Sequence, residues 1–423
     1  MARLGAFCFS GTGHINPMAA LARRLQQRGH KVVIFGIADT ESRVRSAGID
    51  FQLIGAADYP LGTLQKLDQR LGELNGLATF RFTVERVKNT ARMVLRDGPE
   101  AARNANLDAM LIDEADMGGT VAEHLRLPFV SIAFFPPLIK DDRIPPFCFG
   151  WPARQDPLSR LRNRLGMRLL SRVAAGIYAV VNQQREAWNL KPLTHSTDAL
   201  SPLAQITQLP QALEFATSSK PANLHYTGPF VDNQQRPPVP FPWHRLDDRP
   251  LVYASLGTLQ NSSEKIFKTI AEACAGLDVQ LVLSLGGLDP ARLGTLAGDP
   301  VVVSYAPQLQ LLKRAAAVLT HAGLNTVLES LAEGVPLVAI PLGNDQPGVA
   351  ARVAAQGAGI VIARRKLNVP RLRNATRSVL EEPHYQAAAR RLQAAMQQVN
   401  GLEKAADIIE DALKIRQLHK AAS

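Results

Sequence analysis

The chain has 423 residues, 46% apolar and 20% charged, a globular composition long enough for two or three domains at roughly 100–200 residues each. No apolar run reaches the ~18 residues of a membrane span, Leu4–Phe9 is too short for a signal peptide, and Cys8, Cys148 and Cys274 are too scattered for a metal or disulfide framework. A cytoplasmic protein fits, and the net charge of +11 leaves nucleic acid, an anionic membrane surface or an anionic substrate as partners.

In chain order, Leu4–Phe9 reads as a strand, Gly11-Thr12-Gly13-His14-Ile15-Asn16-Pro17 as a loop, and Met18–Gln27 as a helix. Strands at Lys31–Ile37, Ala109–Ile112 and Phe129–Ala133 follow, with a helix between the last two. Such alternation predicts a parallel sheet covered by helices. An imidazole at a helix N-terminus is disfavoured as a cation, so His14 should stay neutral and able to accept a proton. The plainer reading is a histidine that hydrogen-bonds in a turn. A base histidine gains from a carboxylate on its other nitrogen, and Asp113, Glu114 and Asp116 compete for that place at the end of the Ala109–Ile112 strand.

Ala133–Leu138, Pro145–Phe149 and Trp151 are apolar and either line a pocket or pack the core. From Arg143 to Arg185 there are eight arginines and one acid, Asp156. Leu158, Leu161, Leu165, Leu169 and Val173 recur there at helical spacing among Arg160, Arg162, Arg164, Arg168 and Arg172. A basic amphipathic helix of this kind can lie on a membrane. The ordinary expectation is an apolar stripe facing the core with solvated arginines.

Asp232–Pro250 is polar and rich in proline, as an interdomain linker should be. The apolar runs resume at Leu251–Ser255, Val279–Leu285, Val301–Tyr305, Ala316–Thr320 and Leu337–Ile340, and the end of the chain from Tyr385 to Ser423 reads as helices. Two Rossmann-like domains would place a ligand between the carboxyl ends of their strands. The domains expected are 1–231 and 251–384, joined by 232–250 and followed by helices over 385–423.

The stretch Tyr305–Gln346 carries most of the chemistry. His321 ends the Ala316–Thr320 strand, Gly323 leaves the backbone open, and a helix starts near Leu324 or Asn325 and ends before Gly334. Strand, glycine loop and helix start make an anion site, where His321, Asn325 and Thr326 add side-chain donors. Glu329, four residues from Asn325, shares its helix face and is placed for a ribose.

This stretch resembles the donor-binding signature of the UDP-dependent glycosyltransferases of the two-domain GT-B type. The resemblance implies that Tyr305 stacks on uracil, the Ala306 backbone meets the base edge, and Gln308 and Glu329 hold the ribose. His321, the Leu324 N–H, Asn325 and Thr326 would then hold the diphosphate. Asp345 and Gln346 would hold the sugar, with their Asp-Gln ending pointing to glucose. Plant members usually carry tryptophan where this chain has Tyr305 and Leu324. Thr258 resembles the family's small hydroxyl residue near the donor. The loop Gly13–Pro17 resembles the family's catalytic-base loop with His14 as base, and Asp113 matches its partner aspartate. Gly118–Leu125, Leu127–Ser131, Ser201–Gln208 and Gly228-Pro229 are similar to the bacterial carotenoid glucosyltransferases. The implied activity is inverting transfer of glucose from UDP-glucose, as co-substrate, to a lipophilic small molecule such as a hydroxylated carotenoid. No metal is expected, because the dipole and donors at His321 can replace one. Flavonoid, macrolide or sterol-like acceptors, and a non-catalytic nucleotide-sugar binding protein or epimerase of the same fold, are the alternatives. The last helices of this family cross back onto the first domain. A carotenoid acceptor would also make the Arg143–Arg185 segment a docking face on the cytoplasmic side of the membrane.

Two motifs point elsewhere. Asp113-Glu114-Ala115-Asp116 spells a helicase box, but the chain has no Gly-Lys dipeptide for a phosphate loop. No nucleic-acid partner is expected. Gly11-x-Gly13 lacks the third small residue of a dinucleotide turn, since position 16 is Asn.

Overall fold

The computed structural model describes residues 1–74, 77–215, 220–231, 238–258 and 264–415. The first sheet contains β1 (Arg3–Phe7), β2 (Lys31–Gly36), β3 (Asp50–Leu53), β4 (Ala109–Asp113), β5 (Phe129–Ala133), β6 (Gln205–Thr207) and β7 (Leu224–Tyr226). The second contains β8 (Leu251–Ser255), β9 (Gln280–Ser284), β10 (Val301–Val303), β11 (Ala315–Thr320), β12 (Leu337–Ala339) and β13 (Gly359–Val361). Their orders are β3-β2-β1-β4-β5-β6-β7 and β10-β9-β8-β11-β12-β13, and the pairings are parallel. Both domains are therefore doubly wound. Each order reverses between its first and fourth strands, β1/β4 and β8/β11, and ligands of such sheets bind at that reversal.

The central strands β4, β5, β8 and β9 are buried along their whole length. Burial on both faces is why they read as unbroken apolar runs. The sequence reading passes over β3, β6, β7 and β13, which have only three or four residues each and lie at or next to a sheet edge. So short a run carries almost no periodic signal.

Two helices differ from expectation. The first spans Thr12–Gln27, so Pro17 lies inside it and His14 belongs to its first turn rather than to a preceding loop. The expected start at Met18 is thus too late, since near a helix start a proline's missing N–H costs little if the carbonyl it abandons finds another donor. The second is Pro157–Ala187. Its leucines do not face the core: Leu158, Leu161, Leu165 and Leu169 are 79%, 46%, 53% and 51% exposed. The buried face instead carries Ser159, Asn163 and Gly166. Asn163 donates to the Asp142 carbonyl at 2.9 Å. A Cβ at Gly166 would meet the Trp151 ring at 2.8 Å, so the small residues are what let this helix approach its neighbours. Among the described residues no helix is long and apolar enough to cross a membrane.

Residues 232–237 of the expected linker, and 416–423 of the expected final helices, lie outside the described residues. From 238 to 250 the chain is irregular apart from a turn of 3-10 helix at Trp243–Arg245. The helix Pro383–Gln397 packs on the second domain, where Ala388, Ala389, Leu392 and Met396 join its core. The next helix, Gly401–Leu413, puts Leu402, Ala405, Ala406 and Ile409 into the core of the first domain. There Arg28 pairs with Glu403, Asp407 and Glu410, and His30 reaches Glu410 at 3.1 Å. The chain thus passes between the domains twice. The second passage ends against the approach to the first, because a Cβ on Gly401 would lie 2.5 Å from the Pro229 carbonyl and 2.6 Å from that of Gly228. A buried ion pair at 2.8 Å, Arg352 to Glu214, also joins the domains.

Candidate active site

On the first domain's side, β1 ends at Phe7 and the Thr12–Gln27 helix begins, presenting His14 from its first turn. Asp113 ends β4 and is wholly buried. Its Oδ2 lies 2.7 Å from His14 Nδ1 and also accepts from the Phe9 N–H at 3.1 Å, while Oδ1 accepts from Ala115 N–H at 3.0 Å. A carboxylate already held by N–H donors accepts from Nδ1–H, which leaves the Nε2 lone pair for the cleft. Burial pushes the His14 pKa down, but the charge and hydrogen bond of Asp113, with Asp345 behind them, outweigh it and raise it above the usual 6.5. The expectation of an imidazole disfavoured as a cation is corrected on this point, because Asp113 and Asp345 together outweigh the cost of burial. Phe9 and Phe134 set their rings edge-on to the imidazole at 5.3 and 5.8 Å.

The competing carboxylates go elsewhere. Glu114 accepts from the Leu138 N–H at 3.5 Å and is pushed up to about 8 by burial. Asp116 accepts from Gly118 N–H at 2.8 Å and is pushed up to about 7, again by burial.

On the second domain's side, β8 leads into Gly257 and Thr258, and β11 into His321. The His321 ring fills the space between two glycines: a Cβ on Gly257 or on Gly323 would lie 2.6 Å from its Nε2. Gly323 therefore makes room for this imidazole as well as for a ligand. Burial lowers His321 to about 4, with a hydrogen bond to the Ser255 backbone acting in the opposite direction, so the imidazole is held neutral. The helix Leu324–Ala332 starts at Gly323 without a side-chain cap, and its first N–H groups, at Leu324, Asn325 and Thr326, are at the cleft. Gln308 Nε2 donates to Glu329 at 2.6 Å, and Tyr253 Oη donates to Gln308 Oε1 at 3.0 Å, which brings the expected ribose pair together. Tyr305 is half exposed, its ring over Gly287, where a Cβ would come within 2.6 Å of the phenol oxygen. Ala306 and Thr258 line the same cleft. Gln346 Oε1 accepts from the Leu342 and Gly343 N–H groups at 2.8 and 3.0 Å, so its carbonyl shapes the loop that carries Asp345. Asp345 is pushed up to about 6 by burial, with His14 acting in the opposite direction.

Asn325 does something the sequence did not announce. Its amide donates to the Gly13 carbonyl across the cleft at 2.9 Å and accepts from Gln208 Nε2 at 2.8 Å. Pro17 explains the first contact: in a helix the Gly13 carbonyl would receive the N–H of residue 17, which proline lacks. Asn325 supplies the missing donor from the other domain. Gln208, just beyond β6, lines the cleft beside Asn325, and sequence reasoning gave it no role in the site. Its signal was a polar side chain at the carboxyl end of a strand too short to recognise.

Both walls and a broad apolar region enclose one cavity of about 1530 Å³. Its apolar part includes Phe134, Phe135, Leu138, Ile144, Phe147 and Met167. Every expected site residue lines it except Asp113, which stands behind His14.

Two family profiles match: glycosyltransferase family 28 N-terminal domain over residues 6–140, and UDP-glucoronosyl and UDP-glucosyl transferase over 223–413. A zeaxanthin glucosyltransferase of Pantoea ananas is 31% identical over 95% of this chain and 93% of its own. The chain belongs to the UDP-glycosyltransferase family. A second zeaxanthin glucosyltransferase, from Pseudescherichia vulneris, is 29% identical over 95% of both chains. A calicheamicin glycosyltransferase of known structure superposes with a TM-score of 0.71 at 23% identity, covering 98% of each chain. The glycosyltransferase thus has the GT-B fold, and its switch points β1/β4 and β8/β11 face one cleft.

Proposed function

We propose that this glycosyltransferase moves glucose from UDP-glucose to a hydroxyl of a hydroxylated carotenoid such as zeaxanthin, in one inverting displacement. The observation that carries the reading is the His14–Asp113 pair at 2.7 Å, facing the His321 loop and the Leu324–Ala332 helix start across a single cavity. Uracil stacks on Tyr305 and meets the Ala306 backbone. The ribose takes Gln308 and Glu329, the diphosphate takes His321 and the N–H groups of Leu324, Asn325 and Thr326, with Thr258 beside it, and glucose takes Asp345 and Gln346. His14 Nε2 removes the acceptor hydroxyl proton as the oxygen attacks the anomeric carbon. The bond from that carbon to the β-phosphate oxygen breaks, and UDP departs from the opposite face. Asp113 holds the imidazolium that results. N–H donors and the helix terminus take up the leaving charge, so the reaction needs no metal, and chelation with EDTA should leave the rate unchanged. The apolar cavity and the zeaxanthin glucosyltransferase relatives support the acceptor class. The three cysteines are unpaired, which suits a reducing cytoplasm.

The test is incubation with UDP-glucose and zeaxanthin in detergent micelles, with His14→Ala alongside and mass spectrometry for hexosylated carotenoid. Product that depends on His14 supports the reading. Absence of product, with UDP-glucose bound, removes the carotenoid and turns the search to flavonoid, macrolide and sterol-like acceptors.

A further inference from the structure

The outward face of the Pro157–Ala187 helix has no use in the reaction above. At ~100° per residue, Leu158, Leu161, Leu165 and Leu169 fall on one stripe about 16 Å long, and all four are exposed. Arg172 continues the stripe and Arg168 borders it. Both are exposed, and among the described residues neither has a carboxylate at ion-pair distance. From Pro157 to Arg185 the helix contains no acidic residue. Arg160 and Arg164, on another side, are tied to Asp142. Exposed leucines flanked by two cations that have no carboxylate partner among the described residues, on a helix without an acid from Pro157 to Arg185, complement a surface with an oily interior and anionic headgroups.

The opposite face of the same helix turns inward. Met167, Leu170 and Ala174 line the large cavity, and Arg168 and Arg172 belong both to its lining and to the exposed side, so they mark its rim. One wall of the acceptor cavity is thus the reverse of the leucine stripe.

We propose that this stripe docks on an anionic lipid bilayer and sets the cavity rim against the membrane, so that a lipid-dissolved acceptor enters without crossing water. The purpose rests on the lipophilic-acceptor reading, but docking is measured without any acceptor or donor, so either can fail alone.

The full-length protein is sedimented with vesicles of phosphatidylcholine alone and of phosphatidylcholine mixed with phosphatidylglycerol. Strong binding to the mixed vesicles, weak binding to the neutral ones and release by salt are expected. Arg168→Gln and Arg172→Gln should each lower the partition coefficient about five-fold. Leu161→Gln with Leu165→Gln and Leu169→Gln should lower it about ten-fold or more. None of these leucines lines the cavity, so UDP affinity by calorimetry and the melting temperature should stay unchanged in the triple variant. No binding by the unaltered protein, or binding indifferent to both sets of changes, overturns the proposal. So does a dimer in light scattering that the triple variant dissolves while vesicle binding persists, because the stripe would then belong to a second copy of the chain.

Discussion

The two domains wind their strands in the same order and use the same reversal point, yet what they present there differs. At β1/β4 the first domain offers a histidine backed by a buried carboxylate among phenylalanines. At β8/β11 the second offers glycines, a neutral histidine and an uncapped helix start. Under the proposed reaction, one end takes a proton and the other holds an anion. The shared topology supplies the place, and a few residues at the strand ends supply the chemistry.

Removing the proton acceptor should break the contrast most sharply. His14→Ala is expected to lower kcat about 10³- to 10⁴-fold while UDP affinity by calorimetry stays put. Asp113→Asn should cost about 10²- to 10³-fold in rate and leave a second mark, in the pH profile. His14 must be unprotonated to act, and its pKa stands above 6.5, so kcat/KM should fall on acidification at a higher pH than free imidazole would dictate. Without the Asp113 charge, burial dominates and this acid limb should move to lower pH. Glu329→Ala touches the other domain and should instead raise KM for UDP-glucose about ten-fold or more with a smaller change in kcat. Between the two lie Asn325 and Gln208. Each changed to Ala should cost about two- to ten-fold in kcat/KM, and the double variant should lose less than the product of the two, since they share one network. Pro17→Ala is the finest probe. It returns an N–H to the Gly13 carbonyl, so activity should drop about two-fold as Asn325 loses its partner, whereas the melting temperature should rise.

The second domain was the more legible in sequence. Its expected donor segment runs continuously from Tyr305 to Gln346, and strand, glycine and helix start could be read as neighbours. In the first domain, His14 and Asp113 are 99 positions apart, and their meeting depends on β1 pairing with β4, which no local pattern states. Gln208 and the Asn325 bridge were hidden for the same reason, and Pro17 concealed the helix that contains it. The Leu158–Leu169 stripe misled in another way, because periodicity reports that a face exists and not which way it turns.

The meeting of Gly401 with Gly228 and Pro229 has a mechanical consequence. Two bodies joined by separate, distant tethers are pinned, whereas two tethers side by side act as one pivot. Lys404 Nζ donates to the Tyr226 carbonyl at 2.9 Å beside this point and strengthens it. Relative motion of the domains then becomes a swing about that corner. Any opening of the cleft about it would have to break the Asn325–Gly13 contact at 2.9 Å, and would act against the buried Arg352–Glu214 pair.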